Sequence, residues 1–330
     1  AAMPCNSSPL GFSLRRRHVT LSLMGLALNA RAADYPDKPV KMMVGFSPGG
    51  TVDAAGRMMA GALQKATNQN FIVENKPGVG GMLALMETAR AAPDGYTLAV
   101  GSAGPLTVSP TLFKSAKFDP RKSLEPVIWF INSPGIIAVH KDLPARNMAE
   151  LIELSKRKSL TVASAGTGSV LHLMGEYLQE RLSIKWTHVP YKGSAPALLD
   201  LIAGRTDVIT DLVSSTMAFV KSGQLRALAV TSKSRSPALP SVPTLDELGY
   251  TGLEMGSWMG LLAPKGTPAA VITRLNTILN AAIQSPELAE QVRVSGNELA
   301  GGSPRAMSDL IDAELPRWEK VIQRLGLKPE

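Results

Sequence analysis

The stretch VGFSPGGTVDAAGRMMAGAL, Val44 to Leu63, decides how this chain folds. It opens on the end of an apolar run, PVKMMVGF (Pro39–Phe46), with the length of a buried strand. It closes on Ala55, Met58, Met59, Ala62 and Leu63, which recur at helical spacing. Between them, Gly45-Phe46-Ser47-Pro48-Gly49 satisfies G-x-S-x-G, the turn that presents a hydrolase's nucleophilic serine. The chemistry argues against that use. Half of an oxyanion hole is the N–H of the residue after the serine, and Pro48 has none. No HGGG-type loop precedes the motif, and a base would have to come from the scattered His140, His172 or His188. What remains is geometry: a strand, a bare-backbone turn, then a helix N-terminus. Such an end carries unpaired N–H groups and partial positive charge, and so attracts anions. Ligands of open α/β sheets gather at these strand ends.

The same alternation continues. NFIVENK (Asn70–Lys76) and GYTLAVGS (Gly95–Ser102) read as strands around a helix, VGGMLALMETARAA, that Pro93 stops. Farther on, LTVASAG, WTHVPY, RTDVITD and LRALAVTS alternate with helical segments over His172–Leu182, Ala195–Ala203 and Ser215–Lys221. Repeated strand–helix–strand units predict an α/β fold with mostly parallel sheets flanked by helices. There are two such series. The expected division is one lobe from residues 33–133 that returns over 256–330, and a second lobe over 134–255. The tail from Ser303 predicts a single helix, with Ser303 as cap, Pro304 at its first position and an apolar stripe from Met307 to Ile322.

Composition narrows the function. With 330 residues, 45% hydrophobic and 19% charged, the chain has the profile of a globular protein of about two domains. Arg15-Arg16-Arg17, the apolar run Val19–Leu28 and the small-residue end Ala30-Arg31-Ala32 predict a secretory signal peptide over residues 1–32, cleaved after Ala32. The apolar run is too short to span a bilayer, which takes about 20 residues. Residues 1–32 carry four arginines and no acid, so their loss lowers the formal charge from +8 to +4. The basic balance is thus partly a targeting signal, and no stripe of basic and aromatic residues predicts nucleic-acid binding. The sole cysteine, Cys5, leaves too, and three scattered histidines offer no metal cluster.

Other motifs lead back to the same turn chemistry. GFSPGGTV lacks the P-loop lysine, and GVGGML and GTGSVL have Leu83 and Leu171 where a dinucleotide fingerprint needs its last glycine. VASAGTGSVLHLMGEYL, however, repeats strand, glycine turn (Gly166-Thr167-Gly168-Ser169) and helix, and Gly101-Ser102-Ala103-Gly104 ends a third strand. Two such turns facing each other across a cleft would clamp an anion between them.

Five segments, YPDKPVKMMVGFSPGGTVDAAGR, FIVENKPGVGGMLALMETARAAPDGYTLAVGS, VASAGTGSVLHLMGEYL, VPYKGSAPALLDLIAGRTDV and GLLAPKGTPAAVITRLN, run in order from about Tyr35 to the C-terminus. Together they resemble the Bug (TctC-like) family, the extracytoplasmic solute-binding proteins of tripartite tricarboxylate transporters. The resemblance implies a periplasmic, type II, two-lobed "Venus flytrap" that closes on a small carboxylate. It implies no enzymatic activity, no metal, no cofactor, a monomer, and membrane transporter subunits as partners; a carboxylate sensor serving a signalling partner is the alternative. By motif position, ligand contacts carry over to Phe46, Ser47, Gly49 and Gly50, and to Ser102 and Ala103. In the second lobe they carry over to Ser164, Gly166, Thr167, Gly168, Ser169 and His172, and to Asp211 at a strand end. His172 could equally brace its loop, and Asp53 could serve the helix dipole and Arg57. Asp211 has no evident partner in the sequence, and DLVSSTMAF (Asp211–Phe219) carries more hydroxyls than the family pattern suggests. Tyr191 and Trp258 are candidates for an apolar wall or for core aromatics.

Overall fold

The computed structural model describes residues 35–327; the predicted signal peptide and its cleavage point lie outside the described residues. Strand β1 (Val40–Val44) buries Val40, Met42, Met43 and Val44, the near-continuous apolar run of a strand covered on both faces. Helix α1 (Thr51–Thr67) follows the glycine turn and ends at Asn68, whose left-handed backbone (φ 55°) lets its N–H return to the Gln64 carbonyl. Then come β2 (Phe71–Asn75), α2 (Met82–Arg90) and β3 (Thr97–Ser102), with β1 parallel to both β2 and β3.

The next strand, β4 (Leu124–His140), is 17 residues long and belongs to both lobes. Beyond it run α3 (Met148–Arg157), β5 (Leu160–Ser164), α4 (Val170–Leu182), β6 (Trp186–Pro190), α5 (Ser194–Ile202), β7 (Val208–Leu212), α6 (Val213–Lys221) and β8 (Leu225–Val230). Here β5 lies parallel to β6 and β7. The chain returns through β9 (Gly256–Pro264), α7 (Ala269–Ile283), α8 (Pro286–Val294), the short β10 (Glu298–Leu299) and α9 (Pro304–Arg324).

The strand order is β2-β1-β3-β9-β4-β7-β5-β6, with β8 and β10 also paired to β4. The outer strands of each lobe are parallel, as the alternation predicts. At the centre, β9 and β4 run antiparallel to their neighbours. Residues Leu124–Pro134 of β4 pair with β9, and Gly135–Val139 pair with β7. A Cβ on Gly135 would lie 2.9 Å from Met174 Sδ and 3.0 Å from the Met255 carbonyl oxygen, so the handover point has no room for a side chain. Helix α9 has its Ser303 cap, with Oγ accepting from Ala306 N–H, and buries Met307, Ile311, Trp318 and Ile322. Met307 and Ile311 join Leu85, Ala99, Leu106, Trp258 and Leu262 in the first lobe's core.

Candidate functional site

Four helices begin where the lobes face each other. Their starts line one small cavity, about 30 Å³, enough for water and little more. Gly50, Thr51 and Val52 come from the start of α1, and Ser169, Val170 and Leu171 from the start of α4. Ser194 opens α5 and Leu212 precedes α6. Phe46, Ser102, Gly104, Pro105, Ala165 and Ser257 complete the wall. No lysine, arginine or histidine lines it. No side chain caps α1, α5 or α6, and the first-turn N–H groups of a helix have no partner within it. Aligned peptide dipoles add partial positive charge at each of these ends. The wall therefore offers backbone donors without a basic side chain, which at α1 and α4 suits an anion; the Asp211 carboxylate lies behind the starts of α5 and α6.

Hydrogen bonds cross the cleft and hold the lobes together. Ser47 N–H donates to the Lys192 carbonyl (2.9 Å), Ser109 Oγ donates to the Gly168 carbonyl (2.9 Å), and Thr51 Oγ1 meets Ser214 Oγ at 2.8 Å. Ser214 Oγ also meets Ser133 Oγ at 3.1 Å, beside the β4 handover. Of the extra hydroxyls of DLVSSTMAF, Ser214 thus serves closure.

Of the residues singled out from the sequence, Phe46, Gly50, Ser102 and Ser169 line the cavity. Gly166 and Thr167 line a wider cleft of about 540 Å³ together with Tyr191 and Lys192; Phe46 and Ala165 border both spaces. The others stand one layer back. Gly49 N–H donates to Asp53 Oδ2, and Asp53 also receives Arg57 and Asn75. Burial raises the Asp53 carboxyl, but the Arg57, Gly49 and Asn75 hydrogen bonds outweigh it and hold the group below its ordinary range. Ser47 Oγ is buried without a partner, and Ala103 is buried in the first lobe's core, where β3 runs directly into a helical turn over Gly104–Val108.

The second glycine turn differs from the expected clamp. Gly166 N–H donates to Ser164 Oγ, Gly168 N–H to His172 Nδ1 (3.4 Å), and Ser169 N–H to the Gly166 carbonyl. These donors are spent inside the turn. On the inner cavity the free ones lie one step on, at Val170 and Leu171, while the Thr167 N–H, also without a partner, belongs to a residue of the wider cleft. His172 accordingly braces the turn. It stacks on His188 with centroids 4.3 Å apart, and His188 Nε2 meets Ser164 Oγ at 2.7 Å. Burial, with a smaller contribution from His188, pushes His172 down to about 3, and burial pushes His188 down to about 4.

Asp211 does not reach the cavity. It is fully buried and accepts from Ser194 Oγ (2.6 Å), Ser215 Oγ (2.9 Å) and Thr216 Oγ1 (3.3 Å). Burial lifts its carboxyl to about 6, against the lowering by these hydroxyls and the Leu212 N–H. Tyr191 donates to Asp200 at 2.8 Å, and the Trp258 indole donates to Glu314 at 3.0 Å inside the first lobe's core. Neither walls the inner cavity.

Ser194 is the main residue the sequence reading passed over. Its signal was present: VPYKGSAPALLDLI runs strand, Lys192-Gly193-Ser194, helix, like the first turn. Leu171 and Leu212 line the cavity beside motifs that were read for their neighbours, and Ser257 lines it with no motif to mark it.

A two-lobed α/β fold with helix N-termini meeting in the cleft defines a periplasmic binding protein. The chain belongs to the TctC family: residues 55–327 match the profile described as tripartite tricarboxylate transporter family receptor. Members of that family are solute-binding receptors of the periplasm. Three solved structures illustrate the similarity. The periplasmic binding protein BugD is 36% identical, with TM-score 0.86, over 90% of this chain and 100% of that one. Rpa4515 of R. palustris, solved with adipate, is 34% identical with TM-score 0.87 over 90% and 100%. MatC of Rhodopseudomonas palustris, with bound malate, is 31% identical with TM-score 0.83 over 87% and 100%.

Proposed function

We propose that this protein is a periplasmic receptor that closes on a small organic carboxylate and hands it to the membrane subunits of a tripartite tricarboxylate transporter. The carrying observation is the convergence of α1, α4, α5 and α6 on one cavity without a basic side chain. Adipate and malate in two related structures support a carboxylate as the ligand. The carboxylate is held by first-turn N–H groups at Thr51, Val52, Val170 and Leu171, with Ser102 and Ser169 beside it. The lobes as they stand enclose only about 30 Å³, so a dicarboxylate enters while they are apart and holds them less tightly shut than this. Parting is a rotation of 38–133 plus 256–327 against 134–255, with β4 and the start of β9 as hinges. The predicted leader directs export, and the receptor works as a monomer that turns nothing over.

A thermal-shift screen of about 100 organic acids tests this. An acid at 100 times its dissociation constant stabilises by about 2.7 kcal/mol, a shift of several degrees. Stabilisation confined to cationic or uncharged solutes would contradict the proposal.

A further inference from the structure

A serine hydroxyl has one proton and two lone pairs. At Ser194 the proton is committed, because Oγ donates to Asp211 Oδ1 at 2.6 Å. Hydrogen bonds to a carboxylate are the stronger kind. Asp211 has reason to keep this one. It is fully buried, its other oxygen is shared by Ser215 and Thr216, and no cation is among its hydrogen-bond partners. Ser194 lines the cavity, and its Oγ keeps two lone pairs that no group of the protein takes up. The first-turn N–H groups of α1 and α4 and the Ser102 hydroxyl can donate. Ser169 Oγ, like Ser194 Oγ, has its proton committed, to the Gly166 carbonyl at 2.7 Å, but it already accepts the His172 N–H. Ser194 is therefore the cavity hydroxyl whose proton is fixed elsewhere and whose oxygen receives no hydrogen bond from the protein.

We propose that Asp211, acting through Ser194, makes the site selective for carboxylates that carry a hydrogen-bond donor, a hydroxyl or an ammonium, close to the carboxylate. This rests on the carboxylate reading above and narrows it. A ligand without such a donor leaves the Ser194 oxygen dry and unpaired, and sites built to bond a substrate OH or NH reject the analogue that lacks it. An ammonium gains further from the buried charge behind Ser194. Asp211 is a positioning residue, since it touches Ser194 and not the ligand.

Matched acids isolate the effect. On the C4 frame, succinate, malate and aspartate differ only in H, OH or NH3+ at one carbon; propionate, lactate and alanine repeat the comparison on C3, and phenylacetate, mandelate and phenylglycine on an aromatic frame. Titration calorimetry at pH 7.5 compares wild type with Ser194→Ala, Asp211→Ala and Asp211→Asn. In wild type the donor-bearing acid of the best frame binds at least tenfold tighter than its bare counterpart. Ser194→Ala and Asp211→Ala bring that ratio to within about threefold, a change in selectivity that mere loosening of the fold does not produce. Asp211→Asn, which keeps an acceptor for Ser194 but no charge, restores the hydroxy acid's lead and not the amino acid's. A hydroxyl source places malate ahead of aspartate, and an ammonium source reverses them. Equal binding within every triad by wild type, or a lead that survives Ser194→Ala, overturns the inference and leaves the carboxylate reading standing. Failure of all nine acids to bind counts against both.

Discussion

Replacing Gly104 by alanine adds one methyl group exactly where the lobes meet and nowhere else, so it separates closure from folding. Gly104 has no left-handed backbone, and alanine suits its conformation. Its Cβ, however, would lie 2.9 Å from Val170 N and 3.0 Å from Ser169 Cα, both backbone atoms of the opposite lobe. Ordinary contact begins near 3.4 Å, so the closed form must give by about half an ångström. The facing turn is poorly placed to yield, because the Ser169 cap and the Gly168–His172 hydrogen bond fix it. Overpacking of this kind costs about 1–3 kcal/mol. That cost falls on the closed state alone, so affinity weakens by about 5- to 150-fold. The open lobes accommodate the methyl, and thermal melting without ligand stays within a degree or two of wild type. Calorimetry with the tightest acid and a melting curve together decide the matter. Unchanged affinity would refute closure between Gly104 and the α4 start as the binding step.

Two further perturbations address the serine and the histidines. Ser47→Ala removes a buried hydroxyl that has no partner, so it leaves the melting temperature equal or raises it, and neither protein hydrolyses p-nitrophenyl esters; turnover by wild type that disappears in the variant would restore the hydrolase reading. His172 and His188, held near 3 and 4 against about 6.5 in an unfolded chain, make the unfolded state bind more protons between pH 6.5 and 4. Stability is full above that window and falls as pH drops through it. Asp211, raised to about 6, and Glu176, raised by its burial beside His172, oppose this by favouring the folded state as acid is added, but the two imidazoles are displaced further and prevail. The urea midpoint therefore falls from pH 7 to pH 4.5, and falls less in His188→Gln; a flat wild-type profile would show that the imidazoles are not held neutral.

Much of the fold was legible because its signals are local. Val40–Val44 is apolar but for the exposed Lys41, Gly49-Gly50 marks the turn, and Ser303-Pro304 announces α9; each uses residues a few positions apart. The antiparallel centre was not legible. β4 contains Pro126 and Pro134 with Asn132 and Ser133, residues that usually end a strand, and it persists because register shifts at Pro126/Ile128 and Trp129/Ile131 absorb the irregularity. At the site, the glycine turns were visible as motifs, but which N–H groups remain free was not. That depends on His172 reaching back four residues to Gly168, and on Asp211 gathering a hydroxyl from Ser194, 17 residues away in the chain. Partners of that kind are set by packing, which a linear pattern does not record.

A crystal structure with the tightest-binding acid from the screen tests the central claim most directly. The account predicts the ligand's carboxylate in the inner cavity, its oxygens within about 3 Å of N–H groups at the starts of α1 and α4, directly or through one water, with no lysine or arginine nitrogen touching it. A carboxylate seated instead on Lys192 in the wider cleft, or on any basic side chain, would contradict a site built from helix N-termini.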